Sequence, residues 1–167
     1  PYFKKAENND FFDDNFHGQS GPLSVSNLRN ENMFSKAFIE SGKKLHKFNT
    51  DFNGHHQEGV GYYQVTQKDG KRCSAAKAYL EPIINRENLT IHTDMHAYRI
   101  IIEDGIAEAV ELIDKNHNKI TINANKEIIL SAGAFGSPQV LLRSGIGSKY
   151  ELDSLGIKTN IDLPGVG

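Results

Sequence analysis

The sequence predicts a mixed α+β / α/β chain from three observations. Up to about Asn85, loops, short strands and single helices alternate without a dominant period. From Leu89 onward, five short runs rich in branched residues follow one another, as strands do. The last of these, Lys126–Ser131, then passes through Ala132, Gly133 and Ala134 into a segment that opens Ser137-Pro138 and closes Ser144-Gly145-Ile146-Gly147.

That last junction is the most informative stretch. Ile128-Ile129-Leu130 has the length and branching of a covered strand, and the residues after it are almost free of side chains, so something is meant to approach the backbone closely. Ser137 suits an N-cap and Pro138 the first helical position. A helix over 137–144 would bury Val140 and Leu141 and end where Gly145 permits a left-handed exit. Its amino end, with free N–H groups and positive partial charge, would face the ligand edge of the sheet.

The earlier elements follow from local signals. Asn8–His17 is polar, rich in Asn and Asp, and reads as a loop before a short strand at Leu23–Val25. Met33, Phe34, Ala37, Phe38 and Leu45 recur at helical spacing within Asn32–Leu45, which predicts an amphipathic helix. Asp51–Gly54 is turn chemistry, Gly61–Thr66 a strand, and Lys68-Asp69-Gly70 the turn of a hairpin. Ser74–Ile84 reads as a helix with Pro82 near its end. Strands are expected at Leu89–His92, Ala97–Glu103, Ala107–Ile113, Lys119–Ile122 and Lys126–Ser131, with Asn85–Asn88 as the crossing point between two parts, 1–85 and 86–167.

Bulk properties bound the function. The 167 residues fit one domain, or parts of two, since domains commonly run to ~100–200 residues. A net charge of −2 gives no reason to expect nucleic acid as a partner. No apolar run approaches the ~18 residues of a membrane span. The single Cys73 has no partner for an internal disulfide, and Pro1–Lys5 carries no hydrophobic signal region. The expected setting is cytoplasmic, or peripheral to a membrane.

Four constellations invite a chemical reading and do not sustain it. His92 and His96 stand four apart, but metal ligation at that spacing requires a helix, and the flanking pattern is strand-like. Adjacent His55 and His56 sit in a polar loop. Asp114–Asn118 has the start of a calcium loop, yet Lys119 stands where glycine is needed and Asn125 where the bidentate glutamate belongs, so it reads as a hairpin turn. Cys73 follows Lys71 and Arg72, which favour a thiolate, but lacks a local histidine and acid. No serine lies in a Gly-x-Ser-x-Gly elbow.

The run from Gly133-Ala134 through Ser137-Pro138, Val140-Leu141 and Ser144–Gly147, with Asp162–Gly167 beyond it, resembles the second signature of the glucose-methanol-choline (GMC) family of FAD-dependent oxidoreductases. Tyr2–Glu7, Asp51–Gly61, Gly70–Ala76 with Tyr79-Leu80, and Glu87–Ile91 are similar to the choline dehydrogenase and alcohol dehydrogenase branch of that family. The resemblance implies an internal piece of a GMC-type flavoenzyme. Part of the substrate domain would lie in 1–85 and part of the FAD-binding domain in 86–167. The family's pyrophosphate-binding Gly-x-Gly-x-x-Gly turn and its catalytic histidine are not among these residues.

The resemblance further implies hydride transfer from a primary alcohol, choline or an aliphatic alcohol, to flavin. It places Ala132, Gly133 and Ala134 beside the ADP half of FAD, and Ala97 at the strand position whose backbone pairs with the adenine edge. It assigns no catalytic residue and no metal ligand here, and the chain alone is expected to be inactive. Tight strand-to-helix packing is the competing explanation for Gly133. Two other readings of the chain stay open: a non-catalytic relative that keeps the fold as a binding module, and a nicotinamide-dependent dehydrogenase. The second lacks a glycine turn with its ribose-binding acid. Tyr62, Tyr63 and Glu58 are the residues suited to a quaternary ammonium. The electron acceptor is not legible.

Overall fold

A computed structural model describes all 167 residues and divides them into two compact units, Pro1–Leu89 and Thr90–Gly167. In the first unit a short helix α1 (Tyr2–Ala6) runs directly into β1 (Glu7–Asn9), which pairs in parallel with β2 (Leu23–Val25). The segment expected to be all loop from Asn8 therefore begins in a strand. Its remaining residues do form the connection. Helix α2 (Met33–Gly42) starts where its cap requires: the Asn32 side chain accepts the Phe34 N–H at 2.8 Å.

The hairpin β3 (Gln67–Lys68) and β4 (Lys71–Arg72) turns through Asp69 and Gly70, whose φ values of 51° and 73° are those of a type I′ turn. The strand expected over Gly61–Thr66 reduces to one bridge, Ser26 with Val65. Ser74–Ile84 winds as expected, but as a π-helical turn over Ala76–Leu80 followed by a 3₁₀ turn over Glu81–Ile83. Pro82 has no N–H to continue an α-helical ladder, and the Glu81 N–H bonds to Ala76 O instead. Ile39, Val60, Cys73 and Ala78 are the buried apolar residues of this unit. Cys73 is only 3% exposed, in keeping with a structural thiol.

The second unit is built on an antiparallel meander, β5 (Met95–Glu103), β6 (Ile106–Asp114) and β7 (Lys119–Asn123). The turn between β6 and β7 is the expected hairpin: Asp114 Oδ1 accepts the N–H groups of Asn116 and Asn118, each at 2.8 Å, and His117 turns at φ 64°. Helix α3 (Gly133–Arg143) follows, then β8 (Ile146–Gly147), α4 (Lys149–Ser154) and β9 (Ile161–Asp162), with β8 and β9 paired in parallel. Ile100, Ala109, Val140 and Leu152 are buried here.

Two expectations are corrected. Leu89–His92 and Lys126–Ser131 form no ladder, because no other strand of the chain lies beside them to take their N–H and C=O groups. Ile128 and Leu130 are half-buried and Ile129 is exposed, so the strand-like alternation is present without a partner strand. Helix α3 also begins at Gly133, four residues before Ser137. Gly133 makes the turn with a φ of 84°, and the Ser137 hydroxyl reaches back to accept the Ala132 N–H at 3.0 Å. Pro138 then lies inside the helix. The far end matches expectation: Gly145, with φ 75°, takes the chain out.

Candidate functional site

The residues nominated from sequence all fall in the second unit, at two places. Ala97 is on β5 opposite Leu112, half-buried, and the register slips between it and Arg99. A bulge of this kind frees backbone groups from the ladder. Ala132, Gly133 and Ala134 form the amino end of α3 and are all exposed.

The surroundings of Gly133 bear on the packing explanation within this unit alone. A Cβ placed on Gly133 meets nothing within 4 Å. Glycine is therefore not needed for packing inside this unit; it is needed because a φ of 84° is left-handed. What lies in front is open backbone at the start of an eleven-residue helix, whose first N–H groups carry positive partial charge. Ile129 and Phe135, 78% and 93% exposed, flank it as uncovered apolar surface.

The tertiary structure joins Ala97's strand to the opposite end of the helix. The Ser144 hydroxyl accepts the Ile100 N–H, and Arg143 Nη1 lies 3.0 Å from His96 Nε2. Arg143 also stands over the Tyr98 ring, 5.1 Å from its centre. His96 is thus on a strand and engaged with an arginine, not arranged with His92 on a helical face. At 1.5 Å per residue, the amino end of α3 lies roughly 15 Å along the axis from this junction.

In the first unit, α2 leaves Phe34 and Phe38 about three-quarters exposed along an apolar hollow of about 580 Å³. Ile39, Tyr62, Tyr63 and Val65 complete its lining. Tyr62 and Tyr63 face it together, and burial followed by the charge of Glu31 holds the Tyr62 hydroxyl above its usual pKa. Glu58 lines a different depression, with His55 and His56. The cation-binding trio suggested by sequence is not assembled within this unit.

A buried polar cluster around His17 escaped the sequence reading altogether. Glu7 and Asn9 of β1, Asp51, and Gln64 bonded to Asn9, bring three separate segments to it. The only local signal was the density of Asn, Asp and His between Asn8 and His17, which a solvated loop shows equally well.

Similarity to known proteins agrees with this architecture. The sequence profile described as GMC oxidoreductase matches residues 1–167, and the chain belongs to that family. It is 48% identical over 168 residues to an alcohol dehydrogenase [acceptor] of Pseudomonas putida, a match covering 99% of this chain and 30% of that protein. It is 40% identical to the mitochondrial choline dehydrogenase of Homo sapiens, covering 100% of this chain and 28% of that protein. Among solved structures, pyridoxine 4-oxidase from Mesorbium loti superposes with a TM-score of 0.86 at 32% identity, over 98% of this chain and 32% of that one. An FAD-dependent oxidoreductase from Chaetomium thermophilum gives 0.88 at 26% identity, over 100% of this chain and 32% of that one. The chain thus spans about 30% of the length of the curated relatives it matches.

Proposed function

We propose that this chain supplies part of the cofactor cradle and part of the substrate chamber of an FAD-dependent oxidoreductase acting on the CH–OH group of a primary alcohol, choline or an aliphatic alcohol. The carrying observation is the amino end of α3. Ala132, Gly133 and Ala134 present exposed, nearly side-chain-free backbone, and the space in front of Gly133 is open. A cradle that a side chain would narrow, next to free helix N–H groups, fits the ribose and phosphate of a dinucleotide.

In this reading residues 1–85 belong to the substrate-binding domain and 86–167 to the FAD-binding domain. Ala132, Gly133 and Ala134 would meet the ADP half of FAD, and Ala97 would offer its backbone N–H and C=O to the adenine edge. Bound FAD supplies the hydride acceptor. The chain's own residues bind and orient; none of them is assigned the base that takes the alcohol proton. In the first unit, Phe34, Phe38, Tyr62 and Tyr63 provide an apolar wall that suits the alkyl portion of an alcohol and excludes water from it.

No helix is long and apolar enough to cross a membrane. The deciding assay offers the full-length protein, with its flavin, choline and a series of primary alcohols, with oxygen and an artificial dye as alternative electron acceptors. Substrate-dependent reduction of either acceptor is expected. A flavin-loaded protein inert to every alcohol would favour the non-catalytic binding module, and a protein that reduces a nicotinamide without flavin would overturn the reading.

A further inference from the structure

His17 lies in the connection between β1 and β2 with its side chain 2% exposed and a carboxylate against each ring nitrogen. Nδ1 is 3.1 Å from Glu7 Oε1 and 3.3 Å from Oε2; Nε2 is 3.1 Å from Asp51 Oδ2. The Phe12 ring stacks on the imidazole, centroids 5.0 Å apart. Three segments distant in sequence therefore meet on one ring: β1 through Glu7, the loop that carries His17, and the turn that begins at Asp51.

Counting hydrogens shows which form of the ring this arrangement requires. Asn9, almost fully buried, accepts the Phe11 and Phe12 N–H groups on Oδ1 at 3.0 and 2.9 Å, which fixes which end of its amide is oxygen. The two hydrogens on Nδ2 are taken by closer acceptors, Glu7 Oε1 at 2.8 Å and Gln64 Oε1 at 2.7 Å. His17 Nδ1, 3.2 Å away, is left at best a share of the hydrogen already given to Glu7. With both carboxylates ionised, that nitrogen bonds Glu7 by donating and Nε2 bonds Asp51 by donating. In that state both nitrogens carry protons and the ring is an imidazolium.

We propose that His17 is a charged clasp that fastens the Phe11–Gly21 loop onto the Asp51–Gly54 turn, and that the loop is released when the ring loses a proton. The groups facing it favour the cation from every side. Glu7 comes from β1, Asp51 from the turn, and Asp14 from the loop itself, its Oδ1 accepting the Phe16 and His17 N–H groups. The Asp14, His17 and Asp51 side chains converge to within 4.8 Å. Lys4 of α1 turns its Nζ to the Asn15 carbonyl, 3.0 Å away.

Burial works against the charge on His17 but is outweighed by the hydrogen bonds and attraction of Asp51 and Glu7, so its pKa is raised. Burial likewise works against ionised Glu7 and is outweighed by hydrogen bonds from Asn9, Gly18 and His17, so its pKa is lowered. A neutral ring would leave one nitrogen's lone pair facing a carboxylate. The clasp also braces more than its own loop. Asn9 passes the network to Gln64, which donates to Asn27 Oδ1 at 2.9 Å and stands between Tyr63 and Val65 of the apolar hollow.

The sign follows from the raised folded pKa. The clasp's stabilisation is complete below the pKa of a free histidine, ~6.5, and fades as pH rises through the folded value. The test is hydrogen exchange read by mass spectrometry on the full-length protein between pH 6 and 10, corrected for intrinsic exchange, in wild type and His17→Gln. Protection of peptides within Phe11–Gly21 should fall about tenfold per pH unit between the free and folded pKa values and then level off. Peptides of β5 and β6 should not follow it. In His17→Gln, the same loop should be poorly protected at every pH. Wild-type protection that stays constant to pH 10, or the same pH dependence in the variant, overturns the proposal. Should His17→Gln not fold, ¹⁵N-histidine spectra of the wild type followed from pH 6 to 10 decide: one imidazole, assigned by its shift in Asp51→Asn, should keep both nitrogens protonated to higher pH than a free histidine, and a ring that loses its proton at or below the free-histidine pKa of ~6.5 refutes the clasp.

Discussion

The Ser144 hydroxyl accepts the Ile100 N–H at 2.8 Å and donates to Val140 O at 2.6 Å, both within the buried part of the second unit. One oxygen thereby fastens the last turn of α3 to the middle of β5. Ser144 is 3% exposed and Ile100 8%, so water has little access to either partner.

Ser144→Ala should leave the Ile100 N–H buried and unpaired, at a cost of about 1–3 kcal/mol. Ser144→Cys, with a weaker acceptor, should fall between alanine and wild type. Denaturant unfolding of the purified variants measures this. An alanine variant as stable as wild type would mean that the α3–β5 junction rests on packing alone.

Glu111 of β6 lies between Lys119 Nζ, 3.1 Å from Oε1, and Arg99 Nη2, 3.4 Å from Oε2. The Lys119 interaction, reinforced by Arg99 and opposed by burial, holds its carboxyl below the ordinary range. A lowered folded pKa stabilises above the unfolded value of ~4.3, and that contribution is lost as pH falls through the folded value. Glu111→Gln should therefore narrow the stability difference between pH 7 and pH 3. An unchanged acid limb in the variant would show that the pair contributes nothing measurable.

Gly133→Val should lower flavin retention in the full-length protein more than it lowers stability. The side chain has room, since nothing stands within 4 Å, but it enters the open space proposed above for the cofactor. Holding a branched residue at this φ costs about 1–3 kcal/mol. Gly133→Ala, with less intrusion, separates the two effects. Bound flavin is read from the absorbance of the purified protein, and an undiminished flavin content in the valine variant would remove Gly133 from the cradle.

What could be read in advance was whatever a few neighbouring residues settle between themselves. Asp69-Gly70 dictates a hairpin turn, Asp114 closes the β6–β7 turn, and Gly145 ends α3, each through bonds reaching no more than four residues along the chain. The family, too, was legible, because its signature is a contiguous pattern of residue types.

Elements that depend on a distant partner were not. Lys126–Ser131 has the composition of a strand, but a strand exists only when another supplies its hydrogen bonds, and none in this chain does. Ser137-Pro138 carries the marks of a helix start. The helix nevertheless begins at Gly133, because that residue's left-handed turn and the Ser137 bond back to Ala132 make the earlier turn possible. The His17 cluster is the furthest from any local rule: its carboxylates stand ten and thirty-four positions away in sequence, at a spacing that carries no signal. Sequence by itself determined the turns, the exit of α3 at Gly145 and the family. Tertiary structure decided which polar groups meet in the interior, since a buried charge persists only where folding delivers its counter-charges and hydrogen-bond partners together.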